Sequence, residues 1–264
     1  MNIFWRELKY SRKSMIWWCV GILFMVVSGM SKYGTMKSSG QSVNEIFAAM
    51  PKSLQAIFGL SSLDLSTSMG FYGMLFSYLV LMATIHAVML GANIIAKEER
   101  DKTSEFLMVK PVSRTQIISS KLAASIVLLV IFNLVTYVFS VAMVMHYDST
   151  ANTSEIGKLM AGLFLLQLLF LAIGMAIASV SKRPKLAASI ATGFLIITYI
   201  LSIVIELNDK LEALKYITPF KYFEAKNLIG NSGFDGVFVA LSAVIIVTGI
   251  MLTYVSYRKR DLRI

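Results

Sequence analysis

Residues Ile95 to Leu122 read IAKEERDKTSEFLMVKPVSRTQIISSKL, a compact charged island between two long apolar runs. Phe106, Leu107, Met108 and Val109 form an apolar cluster among its charges and cannot all hide within so short a loop. That surplus apolar surface reads as a docking patch for something outside the membrane plane. Glu98, Glu99, Asp101 and Glu105 are expected near the start of a short helix, where the positive end of the backbone dipole favours carboxylates. Pro111 ends that helix, because proline lacks the donor and pushes Lys110 out of the helical region. Ser113 followed by Gln116 has capping-box spacing and starts a new helix. The expected pattern is helix, break, helix at a membrane surface.

Of the 264 residues, 56% are apolar and 15% charged, and the mean hydropathy is +0.70. These values lie far from the soluble norm and identify an integral membrane protein. The single cysteine, Cys19, excludes an intrachain disulfide and a cysteine-based zinc cage. Apolar runs at residues 16–30, 71–95, 122–145, 159–180, 186–205 and 237–254 give six transmembrane helices, most near the twenty residues that a bilayer requires. The first run is short and is expected to extend backward. The fold class is therefore all-α, a single polytopic transmembrane domain over 1–264. The net charge of +10 would suit nucleic acid, but its distribution decides against that partner. One side of the span map carries seventeen of the 25 basic residues and six acids, net +11; the other carries eight and nine, net −1. By the positive-inside rule both termini and the island are cytoplasmic.

In residues 1–14, Phe4, Trp5 and Leu8 share a helical face away from Arg6, Lys9 and Lys13, the pattern of a helix lying in the membrane interface. Residues 31–69 form an extracellular loop. His86 and Asn93 lie seven residues apart on one face of the second span. Asn133, Thr136, Tyr137 and Ser140 form a polar stripe on the third. These six are candidates for a translocation path, and equally for hydrogen bonds that hold helices together. Ala172, Gly174, Ala176 and Ala178 in the fourth span let a neighbouring backbone approach closely. In the 206–236 segment, Leu211, Leu214 and Tyr216 suggest a short helix stopped by Pro219. Phe220, Tyr222 and Phe223 suit the headgroup level.

Glu98-Glu99-Arg100, Thr103, Glu105-Phe106-Leu107, Pro111-Val112-Ser113-Arg114 and Lys121 resemble, in order and spacing, the first cytoplasmic loop of the type-2 ABC transporter permeases. Lys102 stands where that family usually has a glycine. Tyr216, Thr218-Pro219-Phe220 and Tyr222-Phe223 resemble the family's short outer or re-entrant helices before the last span. The resemblance implies an amphipathic N-terminal helix and a coupling helix within residues 96–121. Glu99, Arg100, Thr103, Glu105, Phe106, Leu107, Met108, Val109, Pro111, Ser113 and Arg114 would then dock on an ATPase subunit. It implies an exporter subunit of a bacterial plasma membrane, paired with a second identical or paralogous permease in a dimer and surrounded by membrane lipid. ATP and Mg would bind the partner ATPase and no cofactor this chain, in which no phosphate loop of the form GxxxxGK[ST] occurs. Cargo in such a family spans drugs, antimicrobial peptides, ions and lipid-linked polymers. Scattered hydroxyls in an apolar interior favour a hydrophobic or amphipathic one.

Other classes fit less of the sequence. An ion-coupled secondary transporter would need acids or lysines at the centres of the spans, and all six centres lack them. An intramembrane enzyme would need a nucleophile and base or a metal set around His86, which has neither an HExxH nor a GxSxG context. A non-transporting scaffold or sensor on the same fold is the remaining alternative.

Overall fold

The computed structural model describes residues 3–38, 44–45, 50–51, 54–55, 63–103, 112–229 and 233–259, and among them all regular structure is helical. Six helices of the described residues are long and apolar enough to cross a membrane. They are α1 (Ile3–Ser38), α2 (Ser68–Arg100), α3 (Arg114–Tyr147), α4 (Thr153–Val180), α5 (Ala187–Leu207) and α6 (Gly236–Lys259). Even α5, at 21 residues, reaches about 30 Å, the thickness of the hydrocarbon core. The rest extend past it.

The apolar runs underestimate the helices, for a physical reason in each case. Residues 3–14 are not a separate interfacial helix but the first turns of α1, since no proline or glycine interrupts them. Residues 31–38, expected in the loop, continue α1 to Ser38. At the other end of the hairpin, Lys97, Glu98, Glu99 and Arg100 are the last turn of α2. Carboxylates expected at a helix start therefore sit at a helix end, where the dipole disfavours them. Ion pairing described below supplies the compensation.

The helices surround a central pair. α2 and α4 are largely enclosed, while α1, α3, α5 and α6 present most of their surface outward. α1 packs on α3 and α2, α5 on α2 and α4, and α6 on α4. The outward faces are apolar, with Trp17 and Phe24 on α1, Phe194 and Ile197 on α5, and Val244 and Met251 on α6 exposed. Faces of this kind require lipid or another protein as solvent.

Two glycines set the spacing of the central pair. A Cβ on Gly91 of α2 would lie 2.3 Å from the Leu171 carbonyl oxygen, and one on Gly174 of α4 would lie 2.3 Å from that of Val88. Backbone atoms cannot retreat as a side-chain tip would. Gly249 of α6 similarly meets Ala172 on another face of α4, at 3.2 Å. The small residues of α4 thus admit two neighbours. At the end of the bundle away from the termini, Ser68 donates to the Asp148 carboxylate at 2.8 Å. Hydrogen bonds from Thr150 and Ser68 hold that carboxyl below the usual range.

Gly91→Ala and Gly174→Ala are each expected to destabilise the purified protein by about 1–3 kcal/mol through overpacking. Gly193→Ala, on open helix surface, should be neutral or stabilising by up to about 1 kcal/mol. Thermal unfolding in detergent checks this, and equal melting of all three variants would contradict it.

Candidate functional site

The end of the bundle that carries the termini is held by a buried ionic network. Glu98, near the end of α2, accepts from Lys121 of α3 at 2.5 Å and from Arg6 of α1 at 3.0 Å. Arg6 also reaches Glu7 at 3.0 Å, and Lys97 pairs with the other oxygen of Glu7. Lys121 donates in addition to the Ile94 carbonyl. Glu7 and Lys121 are wholly buried, and Lys97 and Glu98 nearly so. Removing such groups from water costs several kcal/mol per ion unless each is paired and hydrogen-bonded. Three cations and two carboxylates shared among three helices meet that condition. The Lys97 ammonium also lies 4.2 Å from the centre of the Tyr10 ring, a cation–π contact within α1 and α2. Ile3 packs on Ile117 and Val112, which extends the join of α1 to α3.

α2 ends in a Schellman motif. The Thr103 amide donates to the Glu98 carbonyl at 2.8 Å and the Lys102 amide to that of Glu99 at 3.4 Å, with Lys102 left-handed at φ +55°. A glycine suits this backbone and a lysine strains it. Arg100 donates to Asn93 at 2.8 Å and pairs with Asp101 at 2.9 Å. Glu105, Phe106, Leu107, Met108, Val109 and Pro111 lie outside the described residues. On the return arm Ser113 caps α3, accepting from the Gln116 amide at 3.1 Å as its spacing predicts. Arg114 donates to the carbonyls of Tyr257 and Arg258, at 3.3 and 3.1 Å, and Ser119 meets Tyr254 at 2.7 Å. Both bind α3 to the end of α6.

The candidate path residues lie between helices of the single chain. His86 is buried, stacked on Phe132 at 4.9 Å and beside Trp18 at 5.2 Å. Thr136 and Ser140 are fully buried, and the Thr136 hydroxyl donates back to the Phe132 carbonyl at 2.8 Å. Asn133 donates to the Met160 carbonyl of α4 at 3.1 Å. Tyr137 packs against the core, and Asn93 serves Arg100. Among these contacts the Asn133 bond joins two helices, whereas the bonds of Thr136 and Asn93 stay within α3 and α2 and His86 meets its neighbours through ring contacts.

At the opposite end, the segment before α6 forms short 3-10 turns at Asp209–Tyr216 and Pro219–Lys221 and a helical turn at Ala225–Leu228. It folds back onto α5. The Tyr222 hydroxyl donates to the Tyr216 carbonyl at 2.5 Å, and its ring stacks on Phe238 at 4.9 Å. Phe220 packs on Phe170 and Tyr199, both at 5.2 Å. The structure thus brings Tyr216, Pro219, Phe220, Tyr222 and Phe223 together. With them it places four charges that the sequence reading left unconnected. Lys221 bonds Glu206, and Glu224 at 2.7 Å; Lys226 bonds Glu206 at 2.8 Å and Glu224 at 3.3 Å. The ring is closed and alternating. Burial works against the charge on Lys226, but Glu224 and Glu206 outweigh it and hold its pKa above the usual lysine value.

The sequence matches a family profile over nearly its whole length. The profile described as ABC-2 family transporter protein fits residues 1–262. The chain belongs to the ABC-2 transporter family. No curated protein matches it.

Membership makes this a membrane-spanning transport component of permease type, and implies association with ABC ATPase subunits in general. Within the permease, Glu99, Arg100, Thr103, Ser113 and Arg114 of the expected docking set border the described ends of the first hairpin. Among the described residues no group of three or more His, Cys, Asp or Glu is placed to hold a metal ion. The ionic network itself escaped sequence reasoning. Its one visible signal is Glu7, the only acid among the first 44 residues of a basic segment.

Glu98→Gln is expected to cost about 3–5 kcal/mol, because it leaves Lys121 buried without its carboxylate. Adding Lys121→Met should recover part of that loss. Denaturation of the single and double variants checks this, and additive losses would contradict the pairing. Lys102→Gly is expected to stabilise the permease by about 1 kcal/mol by relieving the left-handed lysine. A lower melting temperature for that variant would contradict the strain.

Proposed function

We propose that this permease is the translocation half of an ATP-driven exporter, with both termini and the first hairpin on the cytoplasmic side of a bacterial plasma membrane. The charge asymmetry supports this orientation, since the end with the ionic network is also the end rich in lysine and arginine. Separate ATPase subunits, which hold ATP and Mg, dock on the hairpin. Two permease chains, identical or paralogous, pair to complete a path that six helices are too few to enclose.

The observation that carries this reading is the join at the root of the hairpin. Glu98 and Lys121 pair across its two arms, and Arg6 of α1 holds the same Glu98. Force on residues 104–111 would therefore tilt α1, α2 and α3 together rather than bend one arm. Arg114 and Ser119 pass part of the motion to α6. The permease converts closure of the ATPase pair into a change in helix packing. An amphipathic cargo, such as a drug or an antimicrobial peptide, suits an interior with few hydroxyls among apolar groups.

Phe106→Asp, Leu107→Asp and Val109→Asp are each expected to lower ATP-dependent export about tenfold, a change of about 1.4 kcal/mol in coupling, while the permease remains inserted. Transport by reconstituted complexes, set beside the ATPase rate, checks this. Unchanged export in all three variants would remove the hairpin as the contact.

A further inference from the structure

The closed ring of Glu206, Lys221, Glu224 and Lys226 is the shared wall of two adjoining clefts. One is a groove between α2 and α5 of about 90 Å³, lined by Phe76, Val80, Tyr199, Ile203, Phe220 and Phe223 beside the ring. The other is a wider mouth of about 660 Å³, where Glu212, Lys215, Asp235 and Phe238 join the same four charges. A volume of that order suits a small organic ligand. An apolar groove thus leads from a charged mouth, at the end of the bundle away from the termini.

We propose that this double cleft binds a zwitterionic amphiphile, its apolar tail in the groove and its ammonium and anionic groups at the ring. Charge balance selects this class. Among the described residues the mouth holds four carboxylates, Glu206, Glu212, Glu224 and Asp235, and three lysines, Lys215, Lys221 and Lys226, net −1. A purely anionic headgroup could use Lys215 alone and would otherwise meet carboxylates, because each ring lysine is already shared between two acids. A headgroup with both signs satisfies both. Carboxylate oxygens accept more than one hydrogen bond, so a ligand ammonium can join Glu206 and Glu224 without dismantling the ring. The exposed pair Lys215–Glu212, at 2.8 Å on the rim, offers the lysine for the anionic group. The site is independent of how the permease is energised.

Native mass spectrometry of the purified full chain, with phosphatidylethanolamine or phosphatidylglycerol of the same acyl chains as probes, tests this. The zwitterionic lipid should be retained about tenfold more than the anionic one. Ile203→Trp, which fills the groove and leaves every charge in place, should cut that retention about tenfold. Glu206→Gln should remove the preference between the two lipids. If Glu206→Gln does not fold, Ile203→Trp decides alone. Equal retention of both lipids by the natural chain, or retention untouched by Ile203→Trp, would overturn the proposal. Vesicles carrying labelled phosphatidylethanolamine then separate two sources of the same chemistry. ATP-dependent movement of the label between leaflets identifies a transported amphiphile, and a static label identifies a resident membrane lipid. Loss of coupling in hairpin variants would leave the retained lipid unchanged, so the two readings fail separately.

Discussion

A carboxylate held between two cations from two other helices governs this bundle. Glu98 sits near the end of α2, where the backbone dipole is unfavourable to it, and is kept there by Arg6 of α1 and Lys121 of α3. None of these charges could be enclosed alone. Their shared burial fixes where three helices must meet, and it allows α2 to continue as a helix beyond its apolar run. The Schellman turn at Lys102 then follows at a set distance from the network, and with it the root of the hairpin.

The two ends of the bundle solve different problems around a tight centre. Gly91 and Gly174 bring the α2 and α4 backbones into contact, so the middle has little freedom to repack. At the terminal end, cations exceed acids in a network that links helices far apart in sequence. At the other end, a balanced ring of two glutamates and two lysines pins the segment before α6 to the end of α5. Motion on the proposed reading is therefore a tilt of bonded helices about a close-packed middle. Bending within one helix would break buried hydrogen bonds at either end.

The architecture is largely legible in the amino-acid sequence. Hydropathy locates six spans, the Ser113 and Gln116 spacing marks the start of α3, and the alanines and glycine of α4 mark close packing. Helix ends were less legible, because Lys97 to Arg100 read as residues leaving the membrane when ion pairing in fact prolongs the helix. The network was not legible at all, since Glu7 and Lys97 are distant in sequence and meet only through the packing of α1 on α2. Lys102 is a middle case. Its departure from the family's glycine falls at the one non-glycine residue of left-handed φ among those described. The charged ring likewise needed the fold, because Glu206 belongs to α5 while its partners Lys221 and Lys226 follow 15 and 20 residues later.

On the proposed reading α1, α2 and α3 move as one body at the hairpin end. Spin labels at Lys9 of α1 and Gln116 of α3, both exposed, report it in the assembled transporter, read as the distance within one permease with and without ATP. The account predicts that this distance stays within about 2 Å, the scale of a helix adjustment, while export proceeds. A separation of α1 from α3 on ATP binding, in a complex that still exports, would contradict it.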